Sequence, residues 1–156
     1  MRASPEGYLT FHSAAEAARR LDRYLNLPVV LPSPLPPGTS LQAKKGAWIS
    51  AYGGRGTAEI QLRTDEGLLI LDYGASGFDG CGGDDADVVW IHGKRGLITV
   101  DHYGRRPWSQ VVWPVKPGHV DGTYGVAGNV SRDEALALAR SMQVAIDAAN
   151  GPDPGC

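Results

Sequence analysis

The residues best suited to chemistry lie close together in Gly77-Phe78-Asp79-Gly80-Cys81-Gly82-Gly83-Asp84-Asp85-Ala86-Asp87, where four carboxylates and a thiol share one glycine-rich stretch. Hard cations take oxygen ligands, so Asp79, Asp84, Asp85 and Asp87 could gather around calcium if this segment folded back on itself. The spacing is not that of an EF-hand, because no glutamate closes the loop, and a solvated acidic hairpin loop accounts for the same residues. Cys81 could serve as a nucleophile if a base activated it and a third group held that base. His92 or His102 with an aspartate would complete such a set, although the glycines around Cys81 leave its position poorly fixed. His92, Asp101 and His102 are predicted at the ends of neighbouring strands, facing one another across Gly93 to Gly96. Two histidines and a carboxylate could bind zinc, but Trp90 and Tyr103 beside them argue for packing.

Aromatic side chains offer a different chemistry, that of recognition. Trp48, Tyr52, Tyr73, Trp90, Tyr103, Trp108, Trp113 and Tyr124 all fall on or beside predicted strands. If several of them share the sheet face opposite the helices, they form an amphipathic binding patch. Trp108, in Arg105-Arg106-Pro107-Trp108, follows a polar turn and two cations and is the best exposed candidate. Trp90, Tyr103 and Arg106 complete the expected binding edge.

These side chains must be positioned by the elements around them. Ser13-Ala14-Ala15-Glu16 places a hydroxyl at an N-cap and a carboxylate three residues on, so a helix should start there. Ala14, Ala18, Leu21 and Leu25 continue its apolar stripe, and Pro28 ends it near Asn26. Leu27 to Leu41 alternates apolar residues with prolines. A ligand for a proline-reading module is one reading, but Val29, Val30, Leu31 and Leu35 are too apolar for a free linker and predict an ordered connector packed along the domain. From Ala47 onward, short β-rich runs are punctuated by turn residues. Strands are predicted over Ala47 to Tyr52, Ala58 to Thr64, Leu68 to Tyr73, Val88 to His92, Leu97 to Tyr103, Ser109 to Val115 and Tyr124 to Ala127. In the second of these, Ala58, Ile60 and Leu62 alternate with Glu59, Gln61 and Arg63, the pattern of a half-exposed antiparallel strand. A second capping box at Ser131-Arg132-Asp133-Glu134 opens a helix whose stripe runs from Ala135 to Ala149, covering the apolar face of the sheet.

Composition narrows the function classes. The chain has 156 residues, 42% hydrophobic and 21% charged, which is ordinary globular usage. Its 21 glycines and 11 prolines suit many short strands joined by tight turns. The formal charge is -2, and the basic pairs Arg19-Arg20, Lys44-Lys45, Lys94-Arg95 and Arg105-Arg106 are isolated from one another, so no nucleic-acid footprint is present. No apolar run approaches the roughly 20 residues of a spanning helix, and Met1 to Gly7 lacks the apolar core of a secretion signal. Cys81 and Cys156 are too few for a disulfide scaffold and lack metal-site spacing. They could be bridged, or remain a loop thiol and a terminal thiol.

The order of motifs carries a resemblance. An early helix leads to Leu27-Pro28-Val29, Leu31-Pro32 and Leu35-Pro36-Pro37-Gly38. Strands follow, then Trp113, Gly118, Tyr124, Gly128 and the closing Ser131-Arg132-Asp133-Glu134-Ala135-Leu136-Ala137-Leu138-Ala139-Arg140-Ser141-Met142. This resembles an uncharacterised bacterial extracytoplasmic domain found in some anti-sigma factors and membrane-anchored lipoproteins, over roughly residues 13–145. The resemblance implies a non-catalytic sensing or binding role outside the cytoplasm. It assigns no functional residue, and the Asp79 to Asp87 loop and an upstream membrane segment depart from it.

The sequence therefore predicts a monomeric α+β domain spanning residues 1–156, with residues 1–12 and 151–156 loose. In it, an antiparallel sheet of six to seven strands packs against N- and C-terminal helices. The function expected is non-catalytic binding of a protein or small-molecule ligand at an aromatic-rich sheet face, without a cofactor. The alternative is a small hydrolase or transferase using Cys81 or His102. No set of residues names a reaction.

Overall fold

The computed structural model describes residues 7–9, 11–23, 25, 27–41, 47–52, 55–74, 85–103, 106–115 and 122–143, with the backbone alone described at 7–9, 47–52, 55–56 and 102–103. The elements are β1 (Gly7–Leu9), α1 (Ala14–Leu21), β2 (Ser40–Leu41), β3 (Ala47–Tyr52), β4 (Arg55–Thr64), β5 (Gly67–Gly74), β6 (Asp87–Ile91), β7 (Lys94–Tyr103), β8 (Arg106–Val115), β9 (Gly122–Gly128) and α2 (Arg132–Ser141). The result is an antiparallel sheet with one helix toward each end of the chain, broadly α+β and mostly strand.

Strand order is β1-β3-β4-β5-β9-β8-β7-β6, and β2 takes over the edge of β4 where β3 leaves it. Two meanders, β3-β4-β5 and β6-β7-β8-β9, are thus zipped together by the β5–β9 pairing. The turn chemistry explains the hairpins. Asp65-Glu66 is a two-residue connection that sets Thr64 opposite Gly67. In the β6–β7 hairpin, His92 and Gly93 have φ of 50° and 76°, so both turn residues sit in the left-handed region that two-residue hairpins favour.

All seven predicted strands are present, and several extend a few residues further. Gly7–Leu9, placed by the sequence reading in a loose N-terminal stretch, pairs with β3, and Ser40–Leu41 pairs with β4. Both helices are shorter than predicted. After α1 the chain turns at Asp22 and Arg23 instead of continuing to Asn26. Helix α2 ends at Ser141, because Met142 leaves the helical region with ψ of 73°; the rest of the predicted helix lies beyond the described residues.

Strand alternation sorts the side chains. Ile60, Leu62, Leu69, Leu71, Val111, Val126, Ile98 and Ile91 point to one face and are buried with Leu21, Ala135, Leu138, Ala139 and Met142 of the helices. The proline-rich connector crosses this same face as an ordered strap. Tyr73 Oη donates to Val30 O at 2.6 Å, Tyr124 Oη donates to Pro28 O, and Asp22 Oδ1 accepts from Val29 N at 2.9 Å. Leu27 nests against Gly122, where a Cβ would lie 2.3 Å from Leu27 Cδ1. Among the described residues, the opposite face carries no helix.

Candidate functional site

The aromatic side chains that are described divide between the two faces, those of Trp48 and Tyr52 lying outside the described residues. Tyr73, Tyr124 and Trp113 lie on the helix side, fully buried and edge-to-face, with centroids 5.2 and 6.0 Å apart. Tyr73 and Tyr124 hold the connector, and none of the three presents its ring to solvent. Trp90 and Trp108 lie on the helix-free face but not together, since Trp90 pairs with Arg95 and Trp108 with Asp101, six residues along β7 and about 20 Å away. Trp90 is 53% exposed and has the Arg95 guanidinium 5.6 Å from its ring, whereas Trp108 is half-buried. Arg106 donates from Nη1 to Glu66 O at 3.0 Å, bracing the β4–β5 turn. The side chain of Tyr103 lies outside the described residues.

The predicted histidine set is not assembled. His92 occupies the β6–β7 turn, while Asp101 and His102 sit at the far end of the ten-residue β7, opposite Trp108 and Pro107. Seven residues of extended chain separate Lys94 from Asp101, about 23 Å. Because the two strands form a hairpin, His92 adjoins the start of β7 and Asp101 and His102 its far end, so the proposed zinc geometry is not formed. Cys81, Asp79 and Asp84 lie outside the described residues, as does Cys156. Asp85 and Asp87 are exposed. Among the described residues no three histidine, cysteine or acidic side chains are placed to hold a metal ion.

The helix-free face has a site of its own. Glu59 of β4 stands directly opposite Asp72 of β5, and Asp72 stands opposite Gly125 of β9, which in turn pairs with Val112 of β8. Here the two central strands carry Gly74, Gly125 and Ala127, so the middle of the face is low and its flanks are high. A Cβ at Gly125 would lie 3.3 Å from Asp72 Cβ and 3.5 Å from its Oδ2. The resulting cavity of about 300 Å³ is lined by Thr57, Glu59, Asp72, Gln110, Val112 and Thr123, among others.

Its electrostatics follow from that packing. Burial pushes the Asp72 carboxyl up to about 7, helped by the negative charge of Glu59 and by a hydrogen bond between the two groups. Gln61 Nε2 donates to Glu59 Oε1, which fixes the second carboxylate. Near pH 7 the Asp72 carboxyl is therefore protonated about half of the time, and the pair offers acceptor oxygens to the cavity. Among the described residues, no Lys or Arg lines the cavity. Such an arrangement can accept hydrogen bonds from a donor-rich, positively charged group, which would displace the proton.

Sequence reasoning overlooked both residues. Glu59 reads as one of several wet positions along β4, and Asp72 as the end of an apolar run. The available signal was Asp72 itself, a strand-depleted residue inside Leu68-Leu69-Ile70-Leu71-Asp72-Tyr73. Among the described residues no helix is long and apolar enough to cross a membrane. No family model, curated protein or solved structure matches this chain.

Proposed function

We propose that this chain is a non-catalytic binding or sensing domain that takes the ammonium group of a small amine over Asp72 and Glu59. The observation that carries this reading is a hydrogen-bonded carboxyl pair lodged in a cavity at the centre of the helix-free sheet face. A site of that size accepts a compact head group, with Val112 offering apolar contact and Gln110 a further polar one. An action outside the cytoplasm is part of the proposal, supported by the order of motifs from Ser13 to Met142.

The test is titration of the protein with primary, secondary and quaternary alkylammonium ions, followed by amide chemical shifts. Saturable shifts centred on Asp72 and Gly125 are expected, with affinity rising between about pH 6 and pH 8 as the Asp72 proton becomes easier to displace. Glu59→Gln/Asp72→Asn should weaken binding at least about tenfold, as expected for loss of charge-assisted hydrogen bonds. If none of the ions gives saturable shifts at this face, the proposal fails.

A further inference from the structure

We propose that the outer edge of β6 joins a second copy of this chain, strand to strand, so that the sheet continues across a two-fold axis. This departs from the monomer expected from sequence and is independent of the pocket over Asp72. Strand β6 ends the sheet, and among the described residues it pairs with β7 alone. Its outward-facing backbone can be identified, because Trp90 O accepts from Arg140 Nη2 at 3.4 Å, on the side away from β7. In an antiparallel ladder the amide and carbonyl of one residue point to the same side, and residues two apart repeat the direction. Val88 and Trp90 therefore both turn their backbone groups to the free edge. The same two residues are 51% and 53% exposed on the helix-free face. An edge with open hydrogen-bonding groups and apolar side chains is a template for strand addition.

What selects a second copy is charge. Asp87 is exposed and pairs with the buried Ile98, so it stands on the helix side of the sheet. The exposed Arg140 reaches the edge at Trp90 from that same side. Antiparallel pairing about Val89 sets Val88 of one copy opposite Trp90 of the other, where both can exchange backbone hydrogen bonds. It also sets Asp87 of one copy opposite Ile91 of the other, one residue from Trp90 and beside Arg140. At 3.4 Å the contact of Arg140 with the Trp90 carbonyl is long for a hydrogen bond to a charged donor and is readily exchanged for a carboxylate. Two-fold symmetry makes that exchange twice. On the opposite face, the two Val88 and two Trp90 side chains form one apolar cluster of cross-strand neighbours.

Sedimentation velocity of the full chain across micromolar to millimolar concentrations tests this. A concentration-dependent dimer is expected. Val88→Pro removes an amide that points away from β7, so it should leave the unfolding midpoint nearly unchanged while abolishing the dimer. Asp87→Arg and Arg140→Glu should each weaken association at least about tenfold, and the Asp87→Arg/Arg140→Glu double variant should restore it. A chain that stays monomeric at millimolar concentration overturns the proposal. So does a dimer indifferent to Val88→Pro, or one that the charge-swapped double variant fails to restore.

Discussion

Asp72 and Glu59 are cross-strand partners on the helix-free face of the sheet, and a hydrogen bond between them favours the protonated form of Asp72. Asp72 is raised from the ordinary 3.8 to about 7 by burial first, then by the charge of Glu59 and the hydrogen bond. Between these values the folded chain binds a proton that the unfolded chain has released. The stabilisation is therefore complete below the unfolded value and is lost as pH rises through the folded one. A shift of roughly three units corresponds to at most about 4 kcal/mol, and partial solvation reduces it to about 1–3 kcal/mol. Urea unfolding of wild type and Asp72→Asn should show the variant gaining that amount, relative to wild type, between about pH 4 and pH 8. A pH-independent difference would remove the raised carboxyl from the account.

The connector is held by phenol hydroxyls, which gives a second expectation. Tyr73 donates to Val30 O and Tyr124 to Pro28 O, and burial pushes both phenols well up, so they remain neutral donors. Replacing either tyrosine with phenylalanine keeps the ring packing and leaves a carbonyl without its donor. Each change should cost about 1 kcal/mol in urea unfolding. The double variant should expose Leu27 to Leu41 to limited proteolysis before global unfolding. Uncut connector in the double variant would show that apolar packing alone holds it.

How far the sequence speaks for this fold depends on the range of the interaction. The seven longer strands are legible because their turns are local, as near Asp65-Glu66, although the β6–β7 turn falls at His92-Gly93 and not at the predicted Gly93 to Gly96. Strands β1 and β2 are not, since three and two residues carry no period of their own and exist only through β3 and β4. The end of α2 is equally non-local. The apolar stripe runs on to Ala149, but Ser141 Oγ bonds back to Leu138 O at 2.7 Å and accepts from Ser33 N of the connector at 3.0 Å, and the chain leaves the helix there. As for the site, the Asp65-Glu66 turn implies Thr64 opposite Gly67 and hence Glu59 opposite Asp72. What the sequence withholds is that β9 rather than β6 lies beside β5, bringing Gly125 next to Asp72 and opening the pocket.

Gly122 tests the seating of the connector from the sheet side. A Cβ there would lie 2.3 Å from Leu27 Cδ1 and 3.0 Å from Gly74 O, so Gly122→Ala forces a flexible side chain and a backbone to move. A loss of about 1–3 kcal/mol is expected from this overpacking. Leu27→Ala alone should cost about 2–5 kcal/mol as a cavity. Because the two residues share one space, the double variant should cost less than the sum, measured as a coupling energy in urea unfolding. Simple additivity would show that Leu27 does not occupy the hollow over Gly122.

The start of α2 offers the last expectation. Ser131 Oγ accepts from Glu134 N at 3.1 Å, while the carbonyl just before it, Val130 O, accepts from Ser109 Oγ at 2.9 Å. One hydroxyl caps the helix and the other ties the residue before the cap to β8, where Ser109 is fully buried. Ser131→Ala should cost about 1 kcal/mol, and Ser131→Asp should retain stability because aspartate both caps and favours the helix N-terminus. Ser109→Ala removes a buried donor and leaves Val130 O unsatisfied, so its cost should reach about 1–3 kcal/mol. Loss of stability in Ser131→Asp equal to that in Ser131→Ala would mean that the hydroxyl supports the connection to β8 and not the helix terminus.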